Sequence, residues 1–151
     1  MAFLTGKYYF TLDPKGRVMI PAALRDVIVR TYNSPTLYIT IAAVDKCIQI
    51  FPVEEWRLLL EEVKKKAPNE PTIKFFMRRV VASAVECEID RQGRVLIPAS
   101  LREDAEIKSE IVVLGLVNRI EVWDKSLWES AMDPSKVYTK AIEAGLAQLG
   151  L

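Results

Sequence analysis

Histidine is missing from this sequence of 151 residues, and cysteine occurs only twice. Histidine is the usual general base and the commonest metal ligand near neutral pH, so Ser-His and Cys-His nucleophiles are excluded. The sequence also lacks the Gly-x-Gly-x-x-Gly and Gly-x-x-x-x-Gly-Lys-Ser/Thr loops that cradle phosphates. Catalysis by lysine, carboxylate or tyrosine stays open, but no grouping of those residues indicates it. We therefore expect a protein that is not an enzyme, with no cofactor, no metal and no small-molecule substrate.

The two cysteines and the apolar stretches restrict where the protein works. Cys47 and Cys87 form no Cys-x-x-Cys motif, which indicates neither a zinc site nor a disulfide framework and favours two buried, reduced thiols. The longest uncharged stretch, residues 31–44, contains polar and turn residues and is shorter than the ~20 apolar residues of a membrane span. The N-terminus lacks the residue order of a secretory signal. These features predict a cytoplasmic protein that makes no contact with membranes.

Net charge is low, at +1, but its distribution is uneven. Residues 1–30 contain five basic and two acidic side chains, and residues 74–102 contain six basic and three acidic ones. A locally basic surface can release counterions from DNA even when the whole protein is nearly neutral. A solvated surface of mixed charge explains the same numbers, and charge alone favours that interpretation.

An internal repeat organises the chain. The 14 residues from Asp13 to Asp26 recur 77 positions later as Asp90 to Glu103, with nine identities and no gap. Further on, residues 48–51 match residues 120–123, and Trp56 matches Trp128, at a spacing of 72. The chain is therefore a duplicated unit.

Each copy predicts the same order of elements: a strand, an Asp-x-x-Gly turn, a second strand that ends at a proline, a short helix and two more strands. The predicted strands are residues 5–12, 17–20, 36–41 and 47–51 in the first copy and 82–89, 94–97, 110–116 and 119–123 in the second. Residues 54–66 and 72–81 predict connecting helices, and residues 133–151 predict an amphipathic helix.

These elements predict a mainly β protein with connecting helices, of the α+β class. The predicted divisions are a first unit at 5–52, a helical connection at 53–81, a second unit at 82–125 and a C-terminal helical segment at 126–151. A unit of about 50 residues is too small to bury a good core alone. Two β-barrel-like copies, from one chain or exchanged between chains, could instead pack together and close a shared barrel.

The repeated pattern Asp-x-x-Gly-Arg-Val-x-Ile-Pro-x-x-Leu-Arg resembles the SpoVT/AbrB swapped-hairpin family. Two such copies, with residues 3–6 before the first and residues 78–86 before the second, resemble the MraZ family over residues 3–130. The resemblance implies two tandem swapped-hairpin units in a cytoplasmic, nucleoid-associated regulator of the bacterial division and cell-wall gene cluster. It also implies assembly into ring-like homo-oligomers that bind double-stranded DNA at direct repeats in their own promoter.

In that family the basic Asp-x-x-Gly-Arg turn contacts DNA. Carried over by position, the resemblance nominates four DNA-binding residues: Lys15, Arg17, Arg91 and Arg94. The second turn departs from the first, because Gln92 replaces the lysine and Arg91 replaces Pro14. We therefore expect the first turn to be the main reader of DNA.

Two alternatives stand beside this interpretation. Asp13 could simply ion-pair Arg17, and Asp90 could ion-pair Arg94, which would hold the turns without any partner. At the level of function, swapped-hairpin units also occur in antitoxins, so an antitoxin-like or purely structural interaction module is the competing hypothesis. For Arg25, just after the first predicted helix start, an ion pair and a phosphate contact are equally compatible with the sequence, and the same holds for Arg102.

Overall fold

The computed structural model describes residues 2–151, which form eight strands, seven α-helices and one π-helical turn. The first half contains β1 (Leu4–Thr11), β2 (Arg17–Met19), α1 (Ala22–Tyr32), β3 (Thr36–Ile41), β4 (Ile48–Pro52), α2 (Val53–Lys64), α3 (Pro71–Phe76) and the π-helical turn (Met77–Val81). The second half contains β5 (Val85–Glu88), β6 (Arg94–Leu96), α4 (Ala99–Asp104), β7 (Glu110–Val117), β8 (Ile120–Asp124), α5 (Lys125–Ala131), α6 (Pro134–Val137) and α7 (Lys140–Gln148).

Six of the strands form one antiparallel sheet in the order β1-β7-β8-β4-β3-β5, and β2 pairs with β6 in a separate two-stranded ribbon. Strand β1 of the first copy pairs along its whole length with β7 of the second copy. Strand β5 of the second copy pairs with β3 of the first. Each copy therefore places its first strand at the edge of the other copy's hairpin. The α+β class and the tandem units are confirmed, but the six-stranded sheet is open, so strand pairing does not close a shared barrel.

One hydrophobic core is built from both copies. Helix α1 contributes Leu24 and Ile28, and α4 contributes Leu101, all at most 3% exposed. The sheet and the ribbon contribute fully buried aliphatic side chains from both halves, among them Val18, Ile39, Ile50, Val95, Ile111 and Ile120. A single copy would leave these faces open to water, so the burial of apolar surface that stabilises each unit of about 50 residues comes from the other copy.

Prolines set the boundary between ribbon and helix in both copies. Pro21 precedes α1 with φ −52°, and Pro98 precedes α4 with φ −54°. A proline cannot donate to a strand ladder, and its fixed φ suits the start of a helix. Helix α1 ends at Asn33, whose left-handed φ of 52° lets its N–H reach the carbonyl of Val29.

The connection between the copies differs from the single helix predicted at 72–81. Helix α3 gives way to the π-helical turn, in which the N–H of Ala82 donates to the carbonyl of Met77 at 3.0 Å. The buried Thr40 hydroxyl donates to the carbonyl of Val80 at 2.6 Å, and Val80 packs against the sheet. Because this turn takes up the residues just before it, the strand predicted at 82–89 is shortened to Val85–Glu88.

The C-terminal segment is two helices rather than the one predicted. Tyr138 is extended, with φ −78° and ψ 99°, and Thr139 begins α7 by accepting the N–H of Ile142. Apolar side chains of the segment face solvent, and Leu149 is 74% exposed. Across residues 2–151, none of the helices is long and apolar enough to cross a membrane.

Both thiols are free, with Cys47 buried and Cys87 half-buried. Burial raises the pKa of the Cys87 thiol to about 12, and it raises the pKa of Cys47 as well. The thiolate is the reactive form, so both side chains behave as small apolar groups near neutral pH.

A pair of glycine substitutions tests the exchange of β1. Gly115 pairs with Gly6, and a Cβ at Gly115 would lie 2.6 Å from the backbone nitrogen of Thr5. We expect Gly115→Ala to force β1 off β7 and to lower the free energy of unfolding in chemical denaturation by about 1–3 kcal/mol. Gly145→Ala is the control, because a Cβ there meets nothing within 4 Å and alanine favours α7. Equal stability of the two variants would contradict the β1–β7 pairing.

Candidate nucleic-acid interface

The ribbon presents one buried and one outward face. Residues directly opposite each other in an antiparallel pair project to the same side of it. Val18 lies opposite Val95, and both are buried against the core. The next pairs project outward, and they are Arg17 with Leu96 and Met19 with Arg94. The outward face therefore combines two arginines with two apolar side chains, and Leu96 is 56% exposed.

The first Asp-x-x-Gly turn is held by its aspartate. Asp13 Oδ1 accepts the N–H of Lys15 at 3.0 Å and the N–H of Arg17 at 2.8 Å. Gly16 has a φ of +83°, a conformation that glycine adopts without strain. These bonds lower the pKa of Asp13, chiefly through the backbone N–H of Arg17, because they favour the ionised carboxylate.

The second turn repeats this geometry. Asp90 Oδ1 accepts the N–H of Gln92 at 2.8 Å and the N–H of Arg94 at 2.9 Å, and Gly93 has a φ of +82°. The pKa of Asp90 is likewise lowered, chiefly by the backbone hydrogen bond from Arg94. The change from lysine to Gln92 leaves the backbone of the turn intact, because only the main chain of that residue is used.

Each turn also hydrogen-bonds to the strand of the other copy. The N–H of Ile20, after β2, donates to the carbonyl of Gly93 at 2.8 Å, and the N–H of Ile97, after β6, donates to the carbonyl of Gly16 at 3.0 Å. The two turns therefore flank the same ribbon, one at each end, and their geometry depends on the pairing of β2 with β6.

Ion pairs fix the arginines of the ribbon. Arg17 Nε lies 2.6 Å from Asp13 Oδ2, and Arg94 Nε lies 3.3 Å from Asp90 Oδ2. Arg94 Nη1 also lies 3.7 Å from Asp13 Oδ2, so this arginine bridges the two turns. The ion pairs considered from the sequence are thus present. They hold both guanidinium groups through Nε, and the two side chains remain 29% and 23% exposed.

Lys15 and Arg91 are the outermost cations of the two turns. Both are exposed, and within residues 2–151 neither has a carboxylate oxygen within 4.0 Å. The four residues nominated from the sequence therefore lie around one ribbon, although they come from turns 77 positions apart.

Two further arginines belong to this surface, and sequence reasoning left their role open. Arg25 of α1 lies against Gly93, where a Cβ would collide with its guanidinium group, and Arg102 of α4 lies against Gly16 in the same way. The Nε atoms of both are buried, and in the described part of the chain they have no hydrogen-bond partner. No carboxylate among residues 2–151 lies within 4.0 Å of either, so the ion-pair role considered for them is not observed.

The repeat contained the only signal for these two residues, since Arg25 and Arg102 occupy the same position in each copy. Each arginine supports the turn of the opposite copy rather than the turn that precedes it in sequence. The exchange of hairpins between the two copies produces that arrangement.

A model of the family described as "MraZ protein, putative antitoxin-like" matches residues 3–76 and 80–146. The chain belongs to the MraZ family. The resemblance predicted from the repeated motif is therefore confirmed. The match covers both copies, including both turns and both strands of the ribbon, and it extends into the C-terminal segment.

Relatives that align with most of this chain share one name. A protein of Pediococcus pentosaceus is 34% identical over 146 residues, which are 97% of this chain and 98% of the relative. One of Thermoanaerobacter sp. (strain X514) is 35% identical over 148 residues, or 98% and 99% of the two chains. One of Carboxydothermus hydrogenoformans is 38% identical over 125 residues, 83% of each chain. All three are named "Transcriptional regulator MraZ".

The lowered pKa of Asp13 predicts an acid-sensitive turn. A carboxyl whose folded-state pKa lies below its ordinary value of 3.8 stabilises the fold above that pH, and the stabilisation is lost as pH falls through the folded pKa. We expect Asp13→Asn to lower Tm at neutral pH and to reduce the loss of Tm below pH 3.8. Asp26→Asn is the control, because Asp26 is exposed and within residues 2–151 has no ion pair. An unchanged acid profile in Asp13→Asn would contradict a stabilising role for this carboxylate.

Proposed function

We propose that this chain is a sequence-specific, DNA-binding transcription regulator that binds direct repeats in its own promoter as a ring-like homo-oligomer. The outward face of the β2–β6 ribbon carries the proposal, because both turns place their basic residues around it. A two-stranded ribbon fits the major groove of B-DNA, which is ~12 Å wide. The name borne by the relatives supports the same function.

The side chains on the ribbon match the chemistry of base edges. Arginine can donate two parallel hydrogen bonds to O6 and N7 of guanine, a contact worth ~1–3 kcal/mol of discrimination. The aspartates hold Arg17 and Arg94 through Nε, which orients the Nη nitrogens of each fork before DNA arrives. Leu96, exposed between them, supplies an apolar surface for a thymine methyl group.

The cations around the ribbon suit the phosphate backbone. Lys15 and Arg91 are free, exposed charges at the tips of the turns, where contacts to phosphate set orientation rather than sequence. Arg25 and Arg102 add a cation behind each turn, and their guanidinium groups have no competing carboxylate in the described chain. Phosphates that flank the contacted bases would give these charges the partner that the isolated chain does not provide.

Assembly supplies affinity that one ribbon lacks. A single chain offers one small ribbon and few phosphate contacts. Linking several ribbons in a ring raises their effective concentration, which increases avidity ~10²–10⁴-fold without any new contact. Exposed aromatic side chains at Phe3 and Tyr9 support association between chains. Spaced direct repeats would then match successive subunits.

The same family resemblance supports a role in the bacterial division and cell-wall gene cluster and a cytoplasmic, nucleoid-associated location. A second candidate function is that of an antitoxin-like module, which the description of the family favours. The C-terminal helices favour it too, because their apolar side chains face solvent. Co-purification with a small nuclease through residues 126–151 would support this candidate.

Arg17→Ala tests the site in a gel shift with the DNA upstream of the chain's own gene. Loss of one bidentate base contact predicts affinity reduced ~5- to 150-fold. Arg17→Lys should keep the charge but lose discrimination between the native site and a substituted one. Arg30→Ala is the control, because Arg30 is an exposed cation at the end of α1, away from the ribbon. Wild-type affinity in Arg17→Ala would refute the assignment.

The number of repeats tests the assembly. Duplexes carrying one repeat and several repeats are compared at the same salt concentration and in equal molar amounts of sites. We expect the several-repeat duplex to bind ~10²-fold or more tightly, since successive ribbons engage the same molecule. Equal affinities for the two duplexes would count decisively against a multivalent ring.

A further inference from the structure

A second basic surface lies outside the ribbon, on α3 and the π-helical turn. Lys74, Arg78 and Arg79 line one open cleft together with the aromatic ring of Phe75. Phe75 is 52% exposed, although phenylalanine side chains are usually buried. The cleft also includes Asn69 and Pro71, so its lining contains three cations and no carboxylate.

The spacing of these cations is unfavourable within a single chain. Lys74 and Arg78 are four residues apart on a continuous helical segment, where like charges repel each other. Within residues 2–151, none of the three has a carboxylate oxygen within 4.0 Å. On the neighbouring helix α2, by contrast, Arg57 pairs with both Glu54 and Glu61. The cluster on α3 and the π-helical turn is therefore an uncompensated concentration of positive charge.

The backbone that carries the cluster is anchored. Val80 is only 2% exposed and packs with Phe51 and Trp56, and its carbonyl accepts the buried hydroxyl of Thr40. Val80 faces the core, whereas Arg78, two residues before it, is exposed and Arg79 is half-buried. A π-helical turn of this kind frequently marks a functional site.

We propose that Lys74, Arg78 and Arg79 form a second phosphate-binding surface, which contacts the phosphodiester backbone of DNA beyond the segment read by the ribbon. The proposal rests on the proposed function. Guanidinium forks match the geometry of phosphate oxygens, and lysine adds a mobile point charge. The exposed ring of Phe75 could pack against a deoxyribose at the same place. A free nucleotide offers the same phosphate chemistry, and the experiment distinguishes the two sources.

The topology separates the cluster from the ribbon. Strand β5 runs from the π-helical turn towards the Asp90 turn, and its four residues alone span roughly 13 Å at ~3.3 Å per residue. One strand of B-DNA carries a phosphate every ~3.4 Å. A duplex that lies on the ribbon and runs along β5 would meet the cluster only if it continued at least about four base pairs past the ribbon. Contact with the cluster predicts that affinity depends on the length of flanking DNA.

The experiment compares Lys74→Ala/Arg78→Ala with the wild type on two duplexes from the chain's own upstream region. One contains a single repeat without flanks, and the other adds about ten base pairs, one helical turn, on each side. Both substituted residues are exposed, so folding is expected to be preserved. On the long duplex, loss of two phosphate contacts should reduce the slope of log K against log salt by ~1.8. On the short duplex, the slopes of the wild type and of the variant should agree.

Matched controls separate the possible results. Lys136→Ala/Lys140→Ala removes two other cations, from the exposed C-terminal segment, and should leave both slopes unchanged. AMP is titrated into both proteins by calorimetry. If AMP binds the wild type but not Lys74→Ala/Arg78→Ala, and the salt slopes on both duplexes are unchanged, the surface binds a free nucleotide. That result would overturn the contact with DNA. Unchanged slopes without AMP binding would overturn the proposal altogether.

Three further results keep this proposal distinct from the function of the ribbon. If Arg17→Ala weakens binding to the short duplex by the ~5- to 150-fold expected above while the cluster variant loses only the gain from flanks, both sites stand. If the wild type binds neither of these duplexes nor one that carries several repeats, the proposed function fails and the DNA contact of the cluster fails with it, whatever AMP does. A change in subunit number by light scattering in Lys74→Ala/Arg78→Ala would make the cluster a subunit contact and overturn the proposal.

Discussion

The hydrogen bonds of β1 to β7, and of β5 to β3, join each copy to its counterpart, and the rest of the molecule depends on them. Without this exchange, each copy would consist of a two-stranded hairpin and a loose strand, with the apolar faces of its helix and sheet in water. The exchange also brings β2 beside β6. The same event therefore completes the core and builds the ribbon, so the candidate interface exists only when both copies have folded on each other.

This dependence extends to the charges around the ribbon. Arg94 reaches Asp13 in the other turn, and Arg25 and Arg102 each lie behind the turn of the opposite copy. The two turns differ in sequence but share one backbone geometry, because the aspartate and glycine that determine it are identical. The difference between them lies at their tips, where Lys15 in one turn corresponds to Gln92 in the other and Pro14 to Arg91. If the two turns contact DNA unequally, these residues at their tips would cause the difference.

Prediction from the sequence succeeded where the signal was local. The strand at Thr36–Ile41, the two Asp-x-x-Gly turns and the helix starts after Pro21 and Pro98 follow from short-range chemistry, and the structure has them. It failed where tertiary contacts decide. The π-helical turn is anchored by a hydrogen bond from Thr40, which is distant in sequence. The break in the C-terminal segment is local instead, since Thr139 caps the start of α7 just after the extended Tyr138. Nothing in the pattern of residues 72–81 distinguishes an α-helix from a π-helical turn.

By itself, the sequence determined that the protein is a duplication, that each copy contains an aspartate-held turn with basic residues, and that it resembles the MraZ family, because repeats, turns and motifs are properties of neighbouring residues. Only the tertiary structure decided that each first strand joins the opposite copy, that the sheet stays open and that Arg25 and Arg102 support turns other than their own. The reason is physical. Strand partners 46 to 113 residues apart are selected by the burial of a shared core, and no local preference encodes that choice.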